Sequence, residues 1–368
     1  MRRITQFLCC VALAAFFAGC NSCNNNYQFI IVGNFGDTQY NGKPVYLYNT
    51  DDPENIVDST VIKDGQFTFK GKVRDPWSAV VANFEEGFGQ QLIVEPGTIT
   101  VTADSIGGTP MNNDIQRMRK RFTMKEIDQQ MEECLPLYYS APDEATRAEV
   151  EKTLDSLNQI KKDTTVAVCW EFYRKNESNV LGGMIMETLV QIDEFSYPQL
   201  DSIVKKAPSI AKRKSIQDKL DQLRNIDATS VGKHYIDIEG VNGKKLSDII
   251  DGKLALVDFW ASWCSPCRKE ITETLIPVWK KYNKKGLVVV GVNVWERGDQ
   301  TAREEAFNKA VKELSITYPQ VSDTTRNATT VYGVQSIPQI LLIGPDGTIL
   351  ARDIRGEAIE EAVKAALK

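Results

Sequence analysis

The alternation of apolar and polar residues divides the chain into regions of different secondary structure. Residues 27–111 carry short β-branched and aromatic runs, among them residues 45–48, 66–70 and 98–102, and this pattern is typical of half-buried strands. Turn signals separate the runs at Asn41-Gly42, Lys63-Asp64-Gly65 and Glu95-Pro96-Gly97. Short strands with regular turns predict an all-β sandwich or barrel-like domain over residues 27–111.

Residues 112–226 follow a different pattern, in which Lys, Glu, Gln, Leu and Met replace the strand formers. Runs such as residues 143–162 and 199–225 predict several helices. Cys134 and Cys169 lie in this helical segment. Buried free thiols are the favoured interpretation of the two cysteines, and a disulfide between them is the alternative, because the sequence does not give their separation.

Residues 229–368 alternate strands with helices. Leu254–Trp260 is a nearly continuous apolar run interrupted by Asp258, and residues 287–294 form a second one. A predicted helix over residues 268–281 joins the two runs, so we expect them to pair in parallel. Further predicted elements are a helix at 302–314, strands at 339–343 and 349–354 around the turn Gly344-Pro345-Asp346-Gly347, and a helix at 357–367.

The first 26 residues have the pattern of an export and anchoring signal. Arg2 and Arg3 precede a 12-residue apolar run, and Ala18 and Gly19 lead to Cys20, which predicts a secretory signal peptide over residues 1–19. The string Phe17-Ala18-Gly19-Cys20 resembles a bacterial lipobox, in which the cysteine is lipidated. We therefore expect a lipid anchor on Cys20, a polar tether over residues 20–26 and a periplasm-facing protein; secretion with an unmodified Cys20 is the alternative.

Composition excludes several classes of function. The formal net charge of -5 argues against a nucleic-acid partner, which requires a basic face. His234 is the only histidine, which makes a zinc site hard to build, so no metal site is predicted, and no cofactor is expected either. The eight cysteines are too dilute for a disulfide scaffold. Arg268 follows the Cys264–Cys267 pair where covalent haem attachment requires a histidine.

The chemistry of the chain centres on Cys264-Ser265-Pro266-Cys267, which lies where a buried strand gives way to a helix. At a helix N-terminus, unpaired N–H groups and the helix dipole stabilise a thiolate, which is the nucleophile of disulfide exchange. We expect Cys264 to attack and Cys267, one turn later, to resolve the mixed disulfide. Pro266 suits the first helical turn, where no N–H partner is needed.

The stretch from Val257 to Arg268, VDFWASWCSPCR, closely resembles the thioredoxin superfamily, and within it the membrane-tethered TlpA/ResA branch. The resemblance covers residues 229–368 and implies a C-terminal α/β thioredoxin-like fold. Upstream, DSTVIKDGQFTFKGKV and LIVEPGTITVTAD resemble a domain of unknown function that often precedes thioredoxin domains in bacterial lipoproteins.

The thioredoxin resemblance implies roles for individual residues. Ile337-Pro338 matches the position of a cis-proline that presents the Ile337 backbone to an extended substrate; a trans turn proline is the alternative. Asp258 matches a buried aspartate that accepts the proton of Cys267; a hydrogen-bonded structural aspartate is the alternative. Trp263 is expected to cover the cysteine pair and contact partners, or else only to pack.

Two acidic residues and one proline complete the implied site. Glu270 matches an active-site glutamate of the ResA group, although a solvated helix face explains it almost as well, and Glu296 is a weaker match of the same kind. Pro277 is predicted to kink the helix that follows the cysteines.

The predicted activity is thiol–disulfide exchange, in the reducing direction because Ser265-Pro266 lacks a thiolate-stabilising histidine. Partners would be protein disulfides or thiols and a membrane-bound electron donor. A peroxiredoxin-like peroxidase is one alternative, disfavoured because Ala261 stands where those enzymes place Thr or Ser. A partner-binding lipoprotein whose redox domain serves residues 27–226 is the other.

Overall fold

The structure, a computed structural model, describes residues 27–36, 38–241, 243–322 and 327–368. The predicted signal peptide, the lipidated Cys20 and the tether lie outside the described residues. Two compact units are present. The first contains the described residues up to Glu194 together with Ile203–Ile216, and the second contains Phe195–Ser202 together with Gln217–Lys368.

Eight strands form two four-stranded sheets in the first unit. The strands are β1 (Gln28–Asn34), β2 (Pro44–Asn49), β3 (Asp52–Val61), β4 (Gln66–Lys72), β5 (Trp77–Asn83), β6 (Phe88–Val94), β7 (Gly97–Val101) and β8 (Ile106–Gly107). Their orders are β4-β1-β7-β8 and β3-β2-β5-β6. The predicted β-rich N-terminal region is confirmed, and β1, which the sequence pattern did not indicate, lies inside its sheet between β4 and β7.

The turn at Lys63-Asp64-Gly65 shows how local chemistry connects these strands. Asp64 and Gly65 both have positive φ, 51° and 70°, which is the requirement of a type I′ turn. Lys63 and Gln66 exchange both backbone hydrogen bonds at 2.9 Å across it. An Asp-Gly pair at these two positions therefore sets the chain reversal before β4.

Helices occupy the middle of the chain, as predicted. They are α1 (Pro110–Phe122), α2 (Lys125–Ser140), α3 (Glu144–Asn176), α4 (Val180–Ile192), α5 (Tyr197–Lys206), α6 (Pro208–Ala211) and α7 (Lys214–Ala228). Asp143 and Asn179 cap α3 and α4 through their side chains. Cys134 and Cys169 are both free thiols; Cys134 is half-buried, whereas Cys169 is buried and its pKa is raised to about 11 by that burial.

The second unit is built on a five-stranded sheet in the order β11-β10-β9-β12-β13. Its strands are β9 (Leu254–Trp260), β10 (Leu287–Asn293), β11 (Gln320–Ser322), β12 (Gln339–Ile343) and β13 (Ile349–Arg352). The predicted parallel pairing of β9 with β10 is confirmed, and so is the hairpin of β12 and β13. Both faces of β9 are buried, because Leu256 and Trp260 join one apolar cluster while Val257 and Phe259 join the other.

The remaining elements of this unit cover the two faces of the sheet. They are α8 (Ser247–Ile250), α9 (Ser265–Glu270), α10 (Ile276–Tyr282), a 3-10 turn (Asn283–Lys285), α11 (Gln300–Glu313), α12 (Asn327–Val331) and α13 (Glu357–Ala366). A π-helical turn, Ile271–Leu275, joins α9 to α10 immediately before Pro277. The helix thus departs from regular geometry where Pro277 lacks an N–H group, and it continues to Tyr282. Within the described ranges, no helix combines the length and apolar character needed to span a membrane.

Candidate functional site

The two cysteines lie between β9 and α9 and are joined by a disulfide. Cys264 is the N-cap of α9, and its Sγ accepts a hydrogen bond from the Cys267 N–H at 3.2 Å. Cys264 retains 4% of its surface exposed, whereas Cys267 is fully buried. Pro266 is exposed in the first turn of the helix. An incoming molecule therefore reaches Cys264 before Cys267, and the helix N-terminus favours negative charge on the Cys264 sulfur.

The Ile337–Pro338 peptide bond is cis, as predicted. The carbonyl oxygen of Ile337 lies 3.8 Å from Sγ of Cys264. Arg355 donates a hydrogen bond to the Pro338 carbonyl oxygen at 2.8 Å, a contact that the sequence did not indicate. The backbone that precedes β12 thus lies directly beside the more accessible sulfur.

Asp258 is fully buried in the middle of β9. Strand alternation directs it to the same face as Leu256 and Trp260, which belong to the apolar cluster that contains Cys267. Neither carboxyl oxygen has a hydrogen-bond partner among the described residues, so the interpretation as a hydrogen-bonded structural aspartate lacks support. Burial, and then the negative charge of Glu270, raise the pKa of Asp258 well above its usual value.

Polar groups that the sequence did not reveal lie on the same face of the sheet. Gly291 of β10 pairs with Asp258 of β9, and Gln320 of β11 pairs with Gly291. The Gln320 side-chain amide occupies the space above Gly291, because a Cβ atom at position 291 would lie 2.2 Å from Gln320 Oε1. The same Gln320 oxygen accepts a hydrogen bond from Trp260 Nε1 at 3.0 Å. The buried hydroxyl of Tyr318 has no partner in the described chain, and burial followed by the charge of Asp258 raises its pKa.

Glu270 is half-buried and does not lie on a freely solvated helix face. Its Oε1 accepts a hydrogen bond from the Gly356 N–H at 2.9 Å. This bond holds the carboxylate on the side of α9 that faces the start of α13, near enough to Asp258 to act on its pKa. Glu270 can therefore tune the ionisation of Asp258.

The loop before Cys264 is held by the segment that follows β10. The buried carboxylate of Glu296 accepts hydrogen bonds from Ser262 N–H and Ser262 Oγ, both at 2.6 Å, and from Asn293 Nδ2 at 2.7 Å. Trp263 is 43% exposed, and its Nε1 donates to the Trp295 carbonyl oxygen at 2.9 Å. The exposure of Trp263 fits a role beyond packing. The three hydrogen bonds accepted by Glu296, which we call the Glu296 clamp, were not specified by the spacing of residues in the sequence.

Replacing Glu296 with Gln should destabilise the protein by about 2 kcal/mol, because hydrogen bonds to a buried charged acceptor are the stronger ones and an amide cannot accept all three. Urea denaturation of the oxidised protein measures the change. Glu273→Gln is the matched control, since Glu273 is exposed and its ion pair with Lys269 is long at 3.9 Å. This variant should change the free energy of unfolding by no more than about 0.5 kcal/mol. Equal effects of the two variants would contradict the clamp.

No cluster of three or more metal-ligating side chains is found in the described part of the chain. His234 lies against Gly347 in the β12–β13 turn region, and its Nδ1 is 2.8 Å from the Tyr235 carbonyl oxygen. The histidine is thus engaged locally at a turn, in a different part of the unit from the disulfide.

Two family models match the chain. Residues 231–352 match the AhpC/TSA family, and residues 29–115 match a domain of unknown function, DUF4369. The first match contains both cysteines, Asp258 and Pro338. The second coincides with the strands of the first unit and assigns no activity to them.

Curated relatives and solved structures are similar to parts of the chain. The chain is 33% identical to the thiol–disulfide oxidoreductase ResA of Bacillus subtilis over 115 residues, 31% of this chain and 60% of that protein. It is 31% identical to the ResA protein of Geobacillus thermodenitrificans over 134 residues, 36% of this chain and 70% of that protein. The crystal structure of a thioredoxin domain of a thiol–disulfide oxidoreductase from Bacteroides vulgatus is 31% identical, with 38% of this chain and 99% of that one covered and a TM-score of 0.34.

The chain thus spans somewhat less than two thirds of the Bacillus subtilis protein, and more than two thirds of the Geobacillus one. By its similarity to these relatives, the chain belongs to the ResA group of thiol–disulfide oxidoreductases.

Proposed function

We propose that this protein reduces disulfide bonds of other proteins, using Cys264 as the nucleophile and Cys267 as the resolving thiol. The observation that carries the proposal is the arrangement around the disulfide. Cys264 keeps 4% of its surface exposed and lies at a helix N-terminus with its sulfur 3.8 Å from the Ile337 carbonyl oxygen, whereas Cys267 is fully buried. A substrate strand that pairs with the backbone at Ile337 would bring its own disulfide to Cys264 first.

The reaction begins from the reduced pair. The Cys264 thiolate attacks one sulfur of the substrate disulfide, a mixed disulfide forms, and the other substrate sulfur leaves as a thiolate. Asp258 then takes the proton of the Cys267 thiol, and the new thiolate attacks Sγ of Cys264. The second substrate thiolate leaves, and the protein is left with the Cys264–Cys267 disulfide present in this structure.

We further propose that the protein faces the periplasm and is tethered to a membrane through a lipidated Cys20. The basic, apolar and small-residue pattern of residues 1–19 supports export, and the lipobox-like string supports the anchor. A reducing dithiol in an oxidising compartment must be recharged. An electron donor is therefore needed, and we expect it to be a membrane protein.

Reduction of insulin disulfides, with dithiothreitol as the terminal reductant, tests the proposed activity. Insulin should precipitate well before the control without protein, because dithiothreitol regenerates the protein dithiol after each turnover. Hydrogen peroxide is the comparison substrate. Peroxide consumption far above that of a free thiol, with no effect on insulin, would support a peroxidase and contradict the proposal.

A further inference from the structure

Two arginines contact residues that border Cys264. The Arg297 guanidinium carbon lies 4.4 Å from the centre of the Trp263 ring, and Trp263 directly precedes Cys264. Arg355 donates a hydrogen bond to the carbonyl oxygen of Pro338, on the side where the Ile337 carbonyl oxygen faces Sγ of Cys264. Both arginines are exposed. Each cation is thus fixed to a residue that borders the accessible sulfur.

Neither of these two guanidinium groups forms an ion pair with another described residue. The neighbouring cations on α9 differ, because Arg268 pairs with Glu313 at 3.0 Å and Lys269 approaches Glu273 at 3.9 Å. This part of the surface therefore carries two cations that are available to a partner, although the whole chain has a net charge of -5.

Two acidic residues of the site, Glu296 and Glu270, do not pair with these arginines. Glu296 is buried and accepts its hydrogen bonds from Ser262 and Asn293. Glu270 is half-buried and accepts from the Gly356 N–H. Both carboxylates are turned toward the protein, so an approaching polypeptide meets the guanidinium groups.

Both guanidinium groups are also preorganised. Stacking of Arg297 on an indole ring and the bond of Arg355 to a carbonyl oxygen limit the rotamers of these long side chains. A guanidinium has five N–H donors, and most of them stay free to bind a carboxylate in bidentate geometry. Less side-chain entropy is therefore lost when an acidic partner binds.

We infer that the surface formed by Arg297, Trp263, Ile337 and Arg355 selects acidic substrates, namely extended segments with Asp or Glu on both sides of the disulfide-bonded cysteine. This inference rests on the proposed reductase function and names its substrate class. The indole of Trp263 would contact the segment near the cysteine, and the two arginines would bind the flanking carboxylates.

A matched peptide series tests this selectivity. Three symmetrical disulfide-linked peptides differ only in the residues two positions before and after the cysteine, which are Glu, Gln or Lys. With the reduced wild-type protein, we expect kcat/KM for the Glu peptide to exceed that for the Lys peptide by roughly tenfold, since the two arginines attract the Glu side chains and repel the Lys side chains. The ratio should shrink in 0.5 M salt, where exposed charges are screened.

Arg297→Gln and Arg355→Gln should each lower the Glu-to-Lys ratio, and the double variant should bring it close to one. The ratio within a variant does not depend on its overall rate, so partial loss of activity leaves the test intact. Arg147→Gln, an exposed arginine on α3 of the other unit, should keep the wild-type ratio.

Equal kcat/KM values for the three peptides in the wild type would overturn the substrate class and leave the reductase function standing. An unchanged ratio in the double variant would overturn the assignment to these two arginines. If the reduced protein reacts with no peptide, both the proposed function and this inference are wrong.

Discussion

Replacing Cys264 with Ser should abolish disulfide reduction, with a loss on the order of 10³-fold or more, because a serine hydroxyl is not ionised near neutral pH and cannot form the mixed disulfide. Cys267→Ser should behave differently. Cys264 still attacks in this variant, but the intermediate has no resolving thiol, so a protein–substrate mixed disulfide accumulates. Mass spectrometry of the quenched reaction identifies it.

The asymmetry of the two variants is the informative result. Cys264 is the accessible sulfur at the helix N-terminus, and Cys267 lies fully buried behind it. Cys134→Ser is the matched control, since Cys134 is a half-buried free thiol of the other unit, and its activity should equal the wild type. A mixed disulfide that forms through Cys267 in the Cys264→Ser variant would reverse the two assignments.

Asp258→Asn should slow the resolution step by on the order of 10²-fold, the usual contribution of a positioned general base. In the wild type, the rate of resolution should rise with pH as Asp258 ionises at its raised pKa. The asparagine variant should lack that step in its pH profile. Stopped-flow fluorescence, with Trp263 beside the reacting cysteine, measures the rate.

The same substitution should stabilise the oxidised protein above about pH 4. Because burial raises the pKa of Asp258, the folded state holds this proton at pH values where the unfolded carboxyl, with a pKa of ~3.9, has lost it. Stability of the wild type therefore falls as pH rises from ~3.9 to the raised folded pKa. The variant lacks this loss, and the two proteins should become equally stable at lower pH.

Asp353→Asn is the control for that experiment, because it makes the same chemical change on an exposed residue of the same unit. Its stability difference from wild type should not grow between pH 4 and 7. A wild type that is more stable than Asp258→Asn at neutral pH would mean that the carboxylate has partners that this structure does not show, and the assignment as proton acceptor would lose its basis.

The sequence predicted best where a local pattern decides the structure. The apolar run of β9 appears with the predicted bounds, because a strand buried on both faces needs apolar residues at nearly every position. The exception inside that run, Asp258, is fully buried, and its carboxyl oxygens have no hydrogen-bond partner among the described residues. The Asp-Gly and Gly-Pro-Asp-Gly turns could be predicted from the sequence because few residue types adopt the backbone angles that tight turns require.

Features that depend on distant parts of the chain were not predictable. The Gln320 amide occupies the space above Gly291 only because β10 and β11 pair in this register. The Glu296 clamp on Ser262 joins residues 34 positions apart, and the bond from Arg355 to Pro338 joins the segment after β13 to the one before β12. A single sequence offers spacing and chemistry, but such contacts follow from the three-dimensional path.

An equilibrium redox titration of the Cys264–Cys267 couple tests the central claim most directly. The protein is equilibrated in glutathione or dithiothreitol buffers of defined potential, and the dithiol fraction is measured by thiol alkylation and mass spectrometry, with Cys264→Ser as the variant that cannot titrate. If the dithiol is reducing, we expect one two-electron transition at about -270 mV. A transition at about -120 mV, typical of a strong oxidant, or a transition that survives in Cys264→Ser, would contradict the account.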